Sequence, residues 1–291
     1  MIDATQVLAL TAALFFGLAL VLTQFGLRYR LPIQGAAISI PASTLLFVAA
    51  APAIIDFGQW DWRAALIFAA VGCLYPAAVT VLTFQSNRQV GPNVAGAVGN
   101  LAPVFAVAFA AVMLGAPPRW LDVGGIAVIV FGVTLMFTGP GARRGAWSRW
   151  ALLAPLGAAL IRGIIQPGVK IGLETWPDPF AAAFISYIVS ATVVLVLSVW
   201  RDPIGTFSGD RRGFGWFAAV GFCNGIAVLT MYAALARGDV AAVAPLVASY
   251  PVATLAFSAL LLGHVTLSRR LVLGVAITVA GVVVMLAAKG A

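Results

Sequence analysis

The chain has 291 residues, of which 62% are apolar and 9% charged, with 17 basic and 9 acidic side chains and a net charge of +8. Soluble domains run near half apolar and about a quarter charged, so too few polar groups exist here to cover a surface in water. A mean hydropathy of +1.05 agrees, and the composition excludes a water-soluble protein in favour of an integral membrane one.

A spanning helix needs about 20 residues. The apolar runs predict ten of them, at 6–26, 32–55, 64–84, 92–114, 120–138, 151–172, 179–199, 214–236, 240–262 and 270–288. Barrel strands are set aside, because they alternate apolar and polar residues, whereas 64–84 is apolar on every face. Residues 1–6 lack the basic segment of a cleaved leader, so the first run reads as a retained span. All eight tryptophans, Trp60, Trp62, Trp120, Trp147, Trp150, Trp176, Trp200 and Trp216, fall at or just outside predicted span ends. Indole favours the headgroup region there. The basic residues are scattered between apolar runs, without the stripe that a nucleic-acid partner requires. Cys73 and Cys223 sit inside apolar runs, where a free thiol behaves as a small hydrophobe.

The chain repeats itself. Phe68-Ala69-Ala70-Val71-Gly72 recurs as Phe217-Ala218-Ala219-Val220-Gly221. Pro103-Val104, Ala108-Phe109 and Leu114-Gly115 recur as Pro251-Val252, Ala256-Phe257 and Leu262-Gly263. Gly125 and Gly132 match Gly274 and Gly281, and Pro32, Ala36, Ile38 and Ser39 match Pro179, Ala183, Ile185 and Ser186. The offset stays between 147 and 149 throughout. The expected organisation is a first five-span repeat at 1–138, a basic linker at 139–150 and a second repeat at 151–291, in one membrane domain. An odd number of spans per half makes the second half enter from the opposite side. Such inverted repeats build many secondary transporters, with the substrate site near the midplane between the halves.

Five-plus-five halves carrying Pro-Val, Phe and Leu-Gly at these positions, each closed by a Gly-rich last span, resemble the drug/metabolite transporter superfamily, EamA type. The resemblance covers nearly the whole chain and implies an all-α bundle of about ten transmembrane helices around a central cavity. It also implies a small-molecule substrate and an inner-membrane location. Members commonly carry an acid right after the Leu-Gly; this chain has Ala116 and His264 there.

A polar group at bilayer depth is costly and is a functional candidate by default. Arg162 is eleven residues into the sixth span, roughly 17 Å from one end at about 1.5 Å per residue. There it either faces an internal cavity, where its guanidinium would grip a carboxylate in a bidentate pair, or is bonded to backbone carbonyls in the bundle. The uncharged candidates for substrate contact are Tyr75, Asn100, Gln166, Tyr187, Asn224, Ser249 and Tyr250; each taken alone also reads as an interhelical hydrogen bond. All nine acids lie in loops or at span ends, and the one histidine, His264, follows the ninth span. That pattern argues against cation-for-proton exchange and for neutral or zwitterionic cargo. Neither a metal-ligand cluster nor a carboxylate pair at depth points to a cofactor or an intramembrane enzyme.

Prolines 41, 76, 103, 167, 245 and 251 lie inside spans. Gly99, Pro103, Pro245 and Pro251 are candidate hinges in the fourth and ninth spans, where bending would open one side of the cavity and close the other; static packing kinks are the alternative. Gly125/Gly132 and Gly274/Gly281 read as tight helix contacts. The turns after odd-numbered spans hold eleven basic residues and the remaining turns and termini five, which by the positive-inside rule puts both termini outside. Members of the resembled family are drawn with both termini inside. The reading is a carrier that exports small amphiphilic metabolites, most of all amino acids with aromatic or large apolar side chains, with membrane lipid as its surroundings and a monomer sufficient. A drug or nucleotide-sugar transporter of the same superfamily, or a channel, is the alternative.

Overall fold

The computed structural model describes residues 3–90, 98–137, 149–201, 210–262 and 269–287. His264, Trp147, Gly96, Ala95, the start of the fourth span and most of the 139–150 linker lie outside them. The described residues are mostly helical, without strands; seven helices are long and apolar enough to cross a membrane, and apolar helices are described at the expected spans 4, 5 and 10 as well. Span 1 is Ala4–Gly26, span 2 Pro32–Ile54, span 5 Trp120–Phe137, span 6 Leu153–Thr175, span 7 Pro179–Arg201, span 8 Arg211–Arg237 and span 10 Arg269–Ala287. Span 4 is described from Ala102 to Met113 as a helix. Spans 3 and 9 are each broken in two, into Trp62–Leu74 with Ala77–Gln89 and Val240–Val247 with Tyr250–Leu262.

The acids at span ends have a plain physical task. Asp61 accepts hydrogen bonds from the amides of Arg63 and Ala64 at 2.8 and 3.0 Å, and Asp178 from those of Phe180 and Ala181 at 2.9 and 3.0 Å. Asp210 accepts from Arg212 N at 2.8 Å. These carboxylates satisfy amides that the first helical turn leaves without partners. Trp62, Trp120, Trp150 and Trp200 are exposed at span ends, as a headgroup belt requires. Trp176 departs from that expectation: it is buried against Trp60, with ring centroids 5.0 Å apart.

Helix contacts run mainly between the two halves. Span 1 packs on spans 8 and 9, span 2 on spans 7 and 8, span 3 on spans 6 and 7, span 4 on span 6, and span 5 on span 10. A pseudo-two-fold axis relates these contacts pair by pair. The Ser43 hydroxyl of span 2 donates to Gly221 O of span 8 at 2.6 Å, and Ser190 of span 7 donates to Gly72 O of span 3 at 2.5 Å. Gly26 lies against the Phe217 ring and Gly172 against the Phe68 ring; Gly17 meets the backbone of span 9 and Gly163 that of span 4. Gly132 and Gly281 make the close approach of spans 5 and 10. Small residues let these backbones approach where lipid supplies no hydrophobic drive between helices. Leucines and valines such as Leu45, Leu66, Val112, Val196 and Leu260 point outward into lipid.

The breaks correct the expectation of prolines in mid-helix. Pro103 and Pro251 stand in the first turn of their helices, where a missing amide costs nothing, and the chain turns just before them, at 100–101 and 248–249. Pro41, Pro167 and Pro245 do lie inside helices. In span 3, Tyr75 is extended (φ −136°, ψ 129°) ahead of Pro76. The Ser190 hydroxyl bridges this break, accepting from Ala77 N at 3.2 Å while donating to Gly72 O. Span 8 has Gly225 where span 3 has Pro76 and runs through as 27 continuous residues.

Candidate functional site

Between the halves lie two adjoining chambers. The first, of about 100 Å³, is lined by Tyr75, Arg162, Gln166, Tyr187, Asn224 and Tyr250, with Phe16, Val79, Phe84, Val228 and Met231 supplying apolar wall. The second, of about 320 Å³, reaches toward the face that carries the basic turns, past Gln24 and Leu27 at the end of span 1 and Ser86 and Asn87 near the end of span 3. Leu20, Thr83, Arg162 and Tyr250 line both chambers. Toward the opposite face the bundle is closed by Leu173, Tyr232, Leu235, Val240 and Val243, all buried.

Arg162 is half-buried at the junction of the two chambers. Its Nη2 donates to Thr83 Oγ1 at 2.9 Å, and among the described residues no carboxylate stands within 4 Å of it. A guanidinium has five N–H donors, so most of its capacity faces the chamber. Span 6 could place it so because Gly163, its neighbour, lets the helix close on the backbone of span 4. Gly99 keeps the space in front open: a methyl there would sit 3.6 Å from the Tyr250 hydroxyl and 3.8 Å from Arg162 Nη1. Gln166, one turn on, donates weakly to Arg162 O at 3.4 Å and keeps a buried Oε1 that lacks a partner among the described residues.

Six of the eight residues expected to touch substrate therefore line one cavity. The other two do not reach it. Ser249 is buried and donates to Leu246 O at 2.7 Å, which stabilises the break in span 9. Asn100 sits at the break in span 4, buried, and is absent from both chamber walls. Of the expected hinge residues, Gly99 and Pro251 line the second chamber and Pro103 the first, while Pro245 is buried in Val240–Val247. Thr83 was missed by the sequence reading; the Thr80/Thr83 pair, three apart on one face of an apolar span, was the available signal. Lys170 lies within the span 6 helix. It donates to Leu235 O and Gly238 O at 2.9 and 3.3 Å.

An inverted-repeat helix bundle enclosing a polar-tipped cavity at mid-membrane has the architecture of a carrier. The model of the EamA-like transporter family matches residues 4–138 and again 148–287. The chain belongs to that transporter family, within the drug/metabolite transporter superfamily, and is a multi-pass membrane protein built of two family repeats. It is 30% identical over 129 residues to a "Probable terminal-alkyne amino-acid exporter" from Streptantibioticus cattleyicolor; the match spans 44% of this chain and 42% of that relative's length. A crystal structure described only as that of a protein superposes with a TM-score of 0.78 at 19% identity, over 98% of both chains. That likeness concerns the fold alone.

Proposed function

We infer that the protein exports small zwitterionic amphiphiles, foremost amino acids with aromatic or large apolar side chains, across the cell inner membrane by alternating access. The observation that carries this reading is Arg162, a cation at mid-span whose guanidinium has the Thr83 hydroxyl as its single hydrogen-bond partner among the described residues, at a cavity junction walled by rings and aliphatic groups. Its guanidinium takes the substrate carboxylate as a fork. Tyr75, Tyr187 and Tyr250, with Phe16 and Phe84, take the side chain. The relative named as an amino-acid exporter supports the same class. A site inside one chain needs no second copy, so a monomer suffices.

The mechanism follows from the two-fold relation. A symmetric bundle would be equally open on both faces; this one is open toward the basic turns and closed opposite. Bending at the breaks of spans 4 and 9, beside Gly99, Pro103, Pro245 and Pro251, exchanges the two states. The test is counterflow: purified protein in liposomes loaded with unlabelled phenylalanine is expected to accumulate labelled phenylalanine saturably. Bulky cations and nucleotides are expected not to compete. Flux that grows linearly with concentration would point instead to a channel. Block by drug cations would point to a drug transporter.

A further inference from the structure

Span 6 carries a polar residue at every fourth position from the cavity to the far face: Arg162, Gln166, Lys170 and Glu174. Residues four apart share one side of a helix. The first two line the open cavity. The last two line a separate vestibule of about 270 Å³ on the closed face, with Arg119, Asp122 and Asp239. Eight residues separate the two cations, or roughly 12 Å along the axis at about 1.5 Å per residue.

Repeat symmetry links this vestibule to the open chamber through one residue. Gly17 and Gly163, and likewise Gly26 and Gly172, are repeat partners 146 residues apart, making equivalent contacts. At the same offset Lys170 is the partner of Gln24, which lines the open chamber on the other face. The rest of the vestibule's wall comes from the ends of spans 4, 5 and 9, so it adjoins the closed counterpart of that chamber through Lys170. Its chemistry differs, because Gln24 is neutral and Lys170 is a cation. Lys170 now donates to the Leu235 and Gly238 carbonyls at the end of span 8, and so ties that face shut. Arg119 is taken by Asp122 at 3.1 Å, and the hydrogen bond it donates to that carboxylate, followed by the carboxylate's charge, raises the pKa of the Arg119 guanidinium. Glu174 and Asp239 have no cation within 4 Å among the described residues.

We propose that Lys170 is a second substrate site, the carboxylate-binding station on the face opposite the open chamber. When that face opens, the span 8 carbonyls withdraw and the ammonium, with three donors, receives the carboxylate that Arg162 releases. Glu174 and Asp239 receive the substrate ammonium. The site thus takes a zwitterion, and it rests on the amino-acid reading above.

The test uses full-length protein in detergent, with Cys73→Ala and Cys223→Ala, and one reporter cysteine per variant. Asn87→Cys reports the open chamber and Ala241→Cys the vestibule. A charged methanethiosulfonate modifies them with and without phenylalanine. The expected result is protection at both reporters. Lys170→Gln is expected to abolish protection at Ala241→Cys while keeping it at Asn87→Cys, which also shows that the variant is folded; Lys170→Arg restores the first. Protection at Ala241→Cys that survives Lys170→Gln would mean closure without contact and would overturn the proposal. Protection at Asn87→Cys alone would overturn it and leave the amino-acid reading intact. Protection at neither would remove that reading, and this proposal with it.

Discussion

Gly72→Ala and Gly221→Ala test the two-fold packing that holds the halves together. A methyl on Gly72 would lie 2.7 Å from Ser186 O and 2.9 Å from Ser186 Cα and from Val189 Cβ. Ordinary C···O contacts are about 3.3–3.6 Å even when attractive, so spans 3 and 7 must part by more than half an ångström or so. Two of those neighbours are backbone atoms and cannot turn aside. Overpacking of this kind costs about 1–3 kcal/mol. Parting also weakens the Ser190–Gly72 bond, and side-chain bonds between membrane helices average about 0.6 kcal/mol. The expected loss is therefore about 2–3 kcal/mol for Gly72→Ala, and comparable for Gly221→Ala, whose methyl meets Ser39 O. Ser190→Ala should cost less, about 1 kcal/mol, since it removes hydrogen bonds without forcing helices apart. Tryptophan-monitored unfolding in detergent would measure all three. A Gly72→Ala protein as stable as its parent, or less affected than Ser190→Ala, would refute the argument.

Gly99→Val should fill the space shared by Arg162 and Tyr250, raising the half-saturation concentration for phenylalanine about tenfold, a loss of about 1.4 kcal/mol, with little change in unfolding. Thr83→Val removes the hydroxyl that orients Arg162; losing one hydrogen bond to a charged group should cost about 1.5–3 kcal/mol of binding, read as a rise in the same constant. A cross-link clamping span 4 to span 9 across the breaks at 100–101 and 248–249 should stop flux while leaving binding measurable. Unchanged flux through the clamped protein would reduce those breaks to static features.

The span count and the repeat were legible because bilayer thickness sets helix length and because the halves share spaced motifs such as Phe68 to Gly72 and Phe217 to Gly221. The interleaving of the halves was not legible. It depends on which glycine meets which backbone, as Gly17 does on span 9 and Gly163 on span 4, and a single sequence holds no record of partners. Hydropathy also hides helix breaks: residues at 74–77 and 247–250 are apolar enough to read as continuous spans. What marks the first break is hydrogen bonding from another span, through Ser190. Arg162 stood out because charge at depth is rare. Ser249 misled for the opposite reason, since a hydroxyl beside a helix break has a local carbonyl to bond, here Leu246 O. Lys170, near the end of its predicted span, did not stand out as Arg162 did, and only the fold brings the span 8 carbonyls to it.

In the proposed mechanism a mid-membrane guanidinium grips the substrate carboxylate. Phenylalanine counterflow into liposomes by Arg162→Ala, beside the parent and with unfolding of both recorded, tests it most directly. Saturable exchange by the parent and its loss in a variant that still folds is the predicted result. Exchange that survives the substitution with its concentration dependence unchanged would contradict the claim, leaving Arg162 to hold Thr83 and the substrate to the tyrosines.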